Sequence, residues 1–236
     1  MIYDVSIKEV RNGVREYLAR QNFPRLIDLG GSMNPWVKEH VTHYFDILSP
    51  HEYLKSSPLY TEKVQQAKAF VGDINDGYGW EEVYDDVKEN GKFDFAICTQ
   101  TLEDIRNPSY VLRSLPRIAK QGFISVPHKY RELNLVEGFG PDTQKEWGLN
   151  KAYIGYFHHR WIFTIIDGPK LRLFPKLEFI ACVEHIQELI KGKPIENELS
   201  FWWKDDIPFE IINEDFLGPN PPSMFSLYVK YLREGL

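Results

Sequence analysis

Three aspartates stand where short apolar runs end: Asp28 in "LIDLGGSMNPW", Asp46 in "HYFDIL" and Asp73 in "AKAFVGDIND". A carboxylate at a strand end suits a ligand rich in hydroxyls or amines, because both oxygens accept hydrogen bonds. Asp46 follows Asp28 by 18 residues, near the roughly 20-residue spacing at which an acid meets ribose hydroxyls in nucleotide-binding α/β folds. Gly30 and Gly31 let the backbone approach a ligand closely, and a helix N-terminus behind them suits a carboxylate group. Neither pyrophosphate fingerprint is present. Met33 to Pro35 break G-x-G-x-x-G, and no Gly-Lys-Ser/Thr occurs. The turn fits a nucleoside without a pyrophosphate, or a plain strand-to-helix connection.

Groups that could move a proton come later. "VPHKYRELN" offers His128, Tyr130, Arg131 and Glu132, and His128 is the better base because imidazole titrates near neutrality. "YFHHRWIF" offers His158, His159 and Arg160. Read as a strand, it puts Tyr156, His158, Arg160 and Thr164 on one face, with Phe157, His159, Trp161, Phe163 and Ile165 on the other. Adjacent histidines then cannot hold one ion, and no metal site is expected. His158 joins His128 as a candidate base, while Arg160 and Tyr130 are candidates for contact with substrate. Trp202 and Trp203 in "SFWWKDDIPF" suit a lid or core packing, or stacking on a flat substrate.

These residues need a scaffold of alternating elements. "SIKEVRNGVREYLARQNFP" reads as an opening helix, with Ser6 and Glu9 spaced as a capping box and Pro24 preventing continuation. "RLIDLGG", "HYFDIL", "AKAFVGDIND", "FDFAICTQ" and "GFISVP" read as five strands. Ser49 to Lys63 reads as an irregular or partly helical excursion. "YGWEEVYDDVKENGK" fits an acidic-faced helix ending near Gly91. Asn107-Pro108 opens another helix, since proline's missing N–H costs nothing in the first turn, and Pro116 should kink or shorten it. Strands alternating with helices imply a parallel sheet with helices on both faces. After Pro127, "YIGYFHHRWIFTIIDGPKLRLFPKLEFIACVEH" reads as consecutive strands with a hairpin at Asp167-Gly168. "PPSMFSLYVKYLRE" reads as a last strand.

The most specific segment is "FDFAICTQTLEDIRNPSYVLRSLPRIAKQGFISVP". With "LIDLGGS", "YFDIL" and "VGDIND" it resembles the class I S-adenosylmethionine-dependent methyltransferases, in their small-molecule, type 11-like branch. The resemblance covers roughly Arg25 to His128. It implies a Rossmann-like, mostly parallel seven-stranded sheet with an antiparallel final hairpin. It also implies one domain over residues 1–236, with a β-rich insertion over the active site at about residues 129–177. By resemblance, Asp28, Gly30 and Gly31 surround the methionine end of the cofactor, with Ser32 replacing a glycine contact. Asp46 binds the ribose, Asp73 lies by the adenine amine and Ile74 packs the ring. Thr99 and Gln100 face the cofactor and the substrate mouth. Asp104 stands where the family commonly has a histidine.

The 236-residue chain carries a formal net charge of −6 and 43% hydrophobic residues, which excludes a broad nucleic-acid-binding face. No signal peptide or membrane span is evident, so a cytoplasmic protein is expected. Cys98 and Cys182 lie in apolar runs and read as reduced core thiols. The expected activity is methyl transfer from S-adenosylmethionine to an oxygen or nitrogen of a small molecule. The alternatives are a catalytically inactive binding or regulatory protein on the same fold, and a nicotinamide-dependent oxidoreductase. The sequence leaves the oligomeric state open.

Overall fold

The computed structural model describes residues 7–136, 153–156, 158–177, 184–194, 198–212, 226, 228–230, 232 and 233. The capping residue Ser6, Phe157, Cys182 and part of the 129–177 segment lie outside these described residues.

Helix α1 (Ile7–Gln21) buries Val10, Val14 and Leu18, which are spaced by four and share one helical face. Asn22 ends it in the left-handed region at φ 47°, its N–H donating to the Leu18 carbonyl at 2.9 Å. Five parallel strands follow: β1 (Leu26–Leu29), β2 (His43–Asp46), β3 (Lys68–Val71), β4 (Phe95–Thr99) and β5 (Gln121–Pro127). Between them lie α2 (Pro50–Tyr53), α3 (Glu62–Gln66), a 3-10 turn at Tyr78–Trp80, α4 (Glu81–Asn90) and α5 (Pro108–Ile118). Asn107 caps α5 by accepting from the Tyr110 N–H at 3.2 Å, with Pro108 in the first turn and Pro116 in the last. Pro116 leaves only two further helical residues, Arg117 and Ile118.

The main sheet has six strands in the order β10-β5-β4-β1-β2-β3, with β10 being Glu198–Lys204. β10 alone runs antiparallel, pairing with all of β5 from Glu198 opposite Pro127 to Lys204 opposite Gln121. Each strand sends alternate residues to opposite layers. Ile27 and Leu29 pack with α4 and α5, whereas Leu26 packs with α1. Trp203 and Trp202 divide in the same way, one to each layer. Trp202 meets Tyr17 of α1 edge-on at 5.0 Å and Phe123 at 5.0 Å, so this pair is core packing.

Two sequence expectations are corrected. The seventh strand, expected in "PPSMFSLYVKYLRE", is absent from the described residues. Those that are described there, 226, 228–230, 232 and 233, are helical. Tyr228 and Leu232 are both buried, and their spacing of four puts them on one helical face, whereas a strand-like reading follows from the aromatic and β-branched content alone. The run of strands after Pro127 is also interrupted. Beyond α6 (Lys129–Leu133), β6 (Leu135–Val136) pairs with β7 (Tyr153–Ile154). Residues 158–160 are not strand, and His185 lies in helix α7 (Glu184–Ile190).

The expected hairpin joins β8 (Trp161–Ile166) to β9 (Lys170–Pro175), with Gly168 at φ 85° in its turn. β11 (Phe209–Ile211) adds to β9 in parallel. Phe163, Ile165, Leu171 and Leu173 turn one face of this small sheet to the main core. Ile162 and Phe174 turn the other face to Tyr130, Leu133 and α7. Among the described residues no helix is long and apolar enough to cross a membrane.

Candidate functional site

The strand order reverses at β1, which has β2 on one side and β4 on the other. Crevices at such switch points, beyond the carboxyl ends of the strands, are where open α/β sheets bind ligands. The first turn sits there. Gly30 has φ 77°, and its N–H donates to the Phe45 carbonyl at 3.0 Å. A Cβ on Gly30 would lie 2.3 Å from Thr101 Oγ1, and one on Gly31 would lie 2.0 Å from Asp28 Oδ2. Packing therefore requires both glycines, and at Gly30 the positive φ requires one as well. Asp28 is fully buried beneath the turn, and neither oxygen has a hydrogen-bond partner. Burial, reinforced by Asp46, raises its pKa to about 8.

Ser32 is buried as well. Its N–H donates to Asp46 Oδ2 at 3.1 Å, while its hydroxyl is unpartnered. Trp36 closes the segment by donating from Nε1 to Thr99 Oγ1 at 3.0 Å. The guanidinium groups of Arg11 and Arg15 lie 5.3 and 5.4 Å from the Trp36 ring, at cation–π distance. Thus "SMNPW" bridges the ends of β2 and β4, with α1 laid over it.

At the end of β2, Asp46 Oδ1 accepts from the Ile47 N–H at 2.7 Å. One bond on each oxygen leaves acceptor capacity on both. Ile47, Leu48 and Val71 are 64%, 41% and 55% exposed, forming an apolar margin beside Asp46. Asp73 Oδ1 accepts from the backbone and side-chain nitrogens of Asn75 at 2.9 and 2.7 Å. The Asn75 backbone bond lowers its pKa, with Arg106 adding to the effect. Ile74 belongs to the core, and its carbonyl accepts from Trp80 Nε1 at 3.1 Å. Exposed apolar side chains follow Asp46 and not Asp73, and sequence reasoning did not single out Ile47 and Leu48.

β4 ends in strain. Gln100 is non-glycine at φ 52°, a conformation concentrated at functional sites. Its Nε2 donates to Glu198 Oε1 at 3.3 Å. Buried Glu198 also accepts from Arg11 at 3.0 Å and from Ser125 Oγ at 2.7 Å. The helix α1, β4, β5 and β10 therefore meet at one carboxylate. Glu103, almost fully buried with neither oxygen partnered, has its pKa pushed well up by burial. Arg11, Trp36, Thr101, Glu103 and Glu198 carry no local sequence signal, since only the folded chain brings them to this edge.

His128 caps α6, its Nδ1 accepting from the Tyr130 N–H at 3.2 Å. A neutral imidazole so engaged carries its proton on Nε2. Tyr130 is buried in the cluster with Leu133 and Ile154. Arg160 is exposed, and its backbone N–H donates to the Glu103 carbonyl at 2.6 Å. His158 and His159 do not alternate as a strand would. Their Nε2 atoms lie 3.7 and 3.5 Å from the same oxygen, Asp104 Oδ1. The expected opposite facing of the pair, and with it the argument against shared ligation, is overturned. The segment before β8 is a turn, free of the pleat. Burial lowers the His158 pKa against the opposing pull of Asp104.

The family model described as "Methionine biosynthesis protein MetW" matches residues 73–144, less than half of the chain. No curated relative matches the sequence. Among solved structures, the chain is similar to the methyltransferase domain of bacterial CtHen1, at 11% identity and a TM-score of 0.46, covering 84% of this chain and 97% of that one. An O-methyltransferase family protein from Burkholderia thailandensis is similar at 14% identity and a TM-score of 0.46, over 85% of this chain and 56% of that one. The N-terminal domain of EvdMO1 with SAH bound is similar at 15% identity and a TM-score of 0.35, over 83% of this chain and 65% of that one.

Proposed function

We propose that this protein binds S-adenosylmethionine at the carboxyl edge of its main sheet and transfers the methyl group to an oxygen or nitrogen of a small molecule. The observation that carries this reading is the placement of Asp46. It stands at the β2 end beside the switch point, retains acceptor capacity on both oxygens and borders exposed Ile47 and Leu48. A nucleoside needs such a pairing: hydroxyl acceptors for its ribose and an apolar surface for its base.

The residues fit the cofactor. Asp46 would hold the ribose, Ile47 would pack against the adenine, and Asp73 would lie near its amine. Gly30, Gly31 and the Ser32 segment would meet the methionine end, whose ammonium would favour ionisation of Asp28 beneath it. Thr99 and Gln100 would border the reacting end. The bound sulfonium supplies an electrophilic methyl group. The protein aligns the nucleophile and takes its proton where that nucleophile is a hydroxyl. Of the two histidines proposed as bases, His128 uses Nδ1 as a helix cap, and His158 is exposed and biased towards the neutral form. Arg160 is an exposed cation that could meet an acidic substrate.

Calorimetric titration with S-adenosylhomocysteine tests the reading. Saturable binding with one site supports it, and no heat up to millimolar ligand rejects it.

A second reading, a cofactor-binding protein without transfer, is favoured by the closure of the first turn. Asp28 is wholly buried there, and the Ser32 N–H is already used by Asp46. Tight binding with no turnover across a panel of alcohols, amines and acids would select it.

A further inference from the structure

The loop after β4 and the turn before β8 are clamped together, because the N–H groups of Arg160 and Trp161 donate to the Glu103 carbonyl at 2.6 and 3.2 Å. This clamp brings Asp104 against His158 and His159. Behind them, His159 Nδ1 lies 2.7 Å from Glu132 Oε1. Glu132 is itself buried and bonded at its other oxygen by Lys176 at 2.7 Å. With its charge balanced by Lys176, Glu132 acts as acceptor, so Nδ1 of His159 carries the proton. The lone pair of a neutral His159 is then on Nε2, aimed at Asp104.

Three atoms able to ligate a metal face one another: Asp104 Oδ1 and the Nε2 atoms of both histidines, all within 4.8 Å. Separations of 3.5 and 3.7 Å are too long for a shared proton, which would draw N and O to about 2.7–2.9 Å. Asp104 Oδ1 is shielded from solvent and has no hydrogen-bond donor. Among the described residues, Asp104 has no lysine or arginine at ion-pair distance. With both imidazoles neutral and both Nε2 lone pairs turned inward, a cation inside the cluster relieves the repulsion, whereas in its absence protonation of an imidazole would do so. The spacing suits a cation: ligand atoms about 2.1 Å from a tetrahedral ion are about 3.4 Å apart.

We propose that Asp104, His158 and His159 form a binding site for a divalent transition-metal ion of the zinc class. Two imidazoles and one carboxylate suit zinc, iron, cobalt or nickel, whereas magnesium and calcium favour oxygen alone. Glu132 orients the His159 ring from behind, as carboxylates commonly do for metal-bound histidines. Three protein ligands leave a coordination position open, and exposed His158 places it at the solvent side. There it would take water or a substrate oxygen, and His158 would act as ligand and not as a free base. This site stands on geometry separate from the nucleoside-binding edge, so failure of S-adenosylhomocysteine to bind would leave it unaffected.

The test uses the full chain, stripped with a chelator and dialysed. Titration with Zn2+ by calorimetry and with Co2+ by visible absorption should each show one equivalent bound. Co2+ should give the intense d–d bands of a low-coordinate site. His158→Ala, at an exposed position, and Asp104→Asn should each weaken uptake by at least about tenfold, and Glu132→Gln by about 10–100-fold. Circular dichroism of each variant would confirm that it folds. No saturable uptake of either ion, uptake unchanged in both His158→Ala and Asp104→Asn, or preference for Mg2+ over Zn2+ would each overturn the proposal. A doubly protonated His159 bridging Glu132 and Asp104 in a metal-indifferent protein, seen by imidazole NMR, would do so as well.

Discussion

The Ser32 N–H donates to Asp46 Oδ2 at 3.1 Å, joining the turn after β1 to the carboxyl end of β2. One carboxylate thereby shapes the first turn while keeping acceptor capacity toward the crevice. The two tasks differ in sensitivity to charge. A neutral amide has one acceptor oxygen: it can keep the Ser32 bond but turns its NH2 toward the Ile47 N–H, and it offers a ribose fewer and weaker acceptors.

Asp46→Asn is therefore expected to retain the fold and lose cofactor affinity. Hydrogen bonds to charged groups contribute about 1.5–3 kcal/mol, so the dissociation constant for S-adenosylhomocysteine should rise by roughly 10–100-fold. Calorimetry reads the affinity and thermal melting the fold. Unchanged affinity would remove Asp46 from the ribose role.

Gly30→Ala should destabilise the protein through contact as well as conformation. The new Cβ would meet Thr101 Oγ1 at 2.3 Å and Cγ2 at 2.6 Å, at a backbone φ of 77°. Overpacking of this kind costs about 1–3 kcal/mol, and a chain of this size loses ~2–4 °C in Tm per kcal/mol. Thr101→Ala removes the two closest atoms and leaves only its Cβ at 3.0 Å, so the double variant should recover part of the loss. Strict additivity in this cycle would show that conformation alone, not Thr101, demands glycine.

The alternation of apolar strands and helices was legible because β1 to β5 are buried runs bounded by turn residues, and their acidic ends were legible with them. What could not be read was tertiary. Ile74 and Ile47 both follow an aspartate, yet Ile74 is drawn into the core beside Trp80 while Ile47 is left exposed. Residues 158–160 adjoin the apolar run of β8 but lie outside it, with the N–H groups of Arg160 and Trp161 bonded to the Glu103 carbonyl, and the histidines do not face oppositely as strand neighbours would. Trp36 looked like part of an irregular turn. Its partners Thr99, Arg11 and Arg15 come from β4 and α1, at distances along the chain that no local pattern encodes.

Trp36→Phe should expose that coupling. The phenyl ring keeps an aromatic face for the arginines but cannot donate to Thr99. Loss of a neutral hydrogen bond costs about 0.5–1.5 kcal/mol. Thr99→Val removes the acceptor, and the double variant should cost less than the sum of the two single changes. Chemical denaturation of the four proteins measures the coupling. Additive losses would mean that Trp36 and Thr99 do not act as a pair.

The pH dependence follows from Asp28. Burial raises its folded pKa from the ordinary carboxyl value of 3.8 to about 8, so the folded state holds a proton that the unfolded state releases. Between these values stability must fall as pH rises, because the folded chain binds more protons than the unfolded one. The stabilisation is complete below about pH 4 and lost by about pH 8. Asp28→Asn removes the titration but leaves an equally unpartnered polar group, so its unfolding free energy should decline less steeply than that of the native protein from pH 5 to 8. A ligand ammonium above the turn would favour ionised Asp28. Binding of S-adenosylhomocysteine near pH 7 should then release protons, read as a dependence of calorimetric heat on buffer ionisation. Parallel stability profiles for the two proteins would show that Asp28 does not titrate in this window. Equal proton release would show that the ammonium is not its partner.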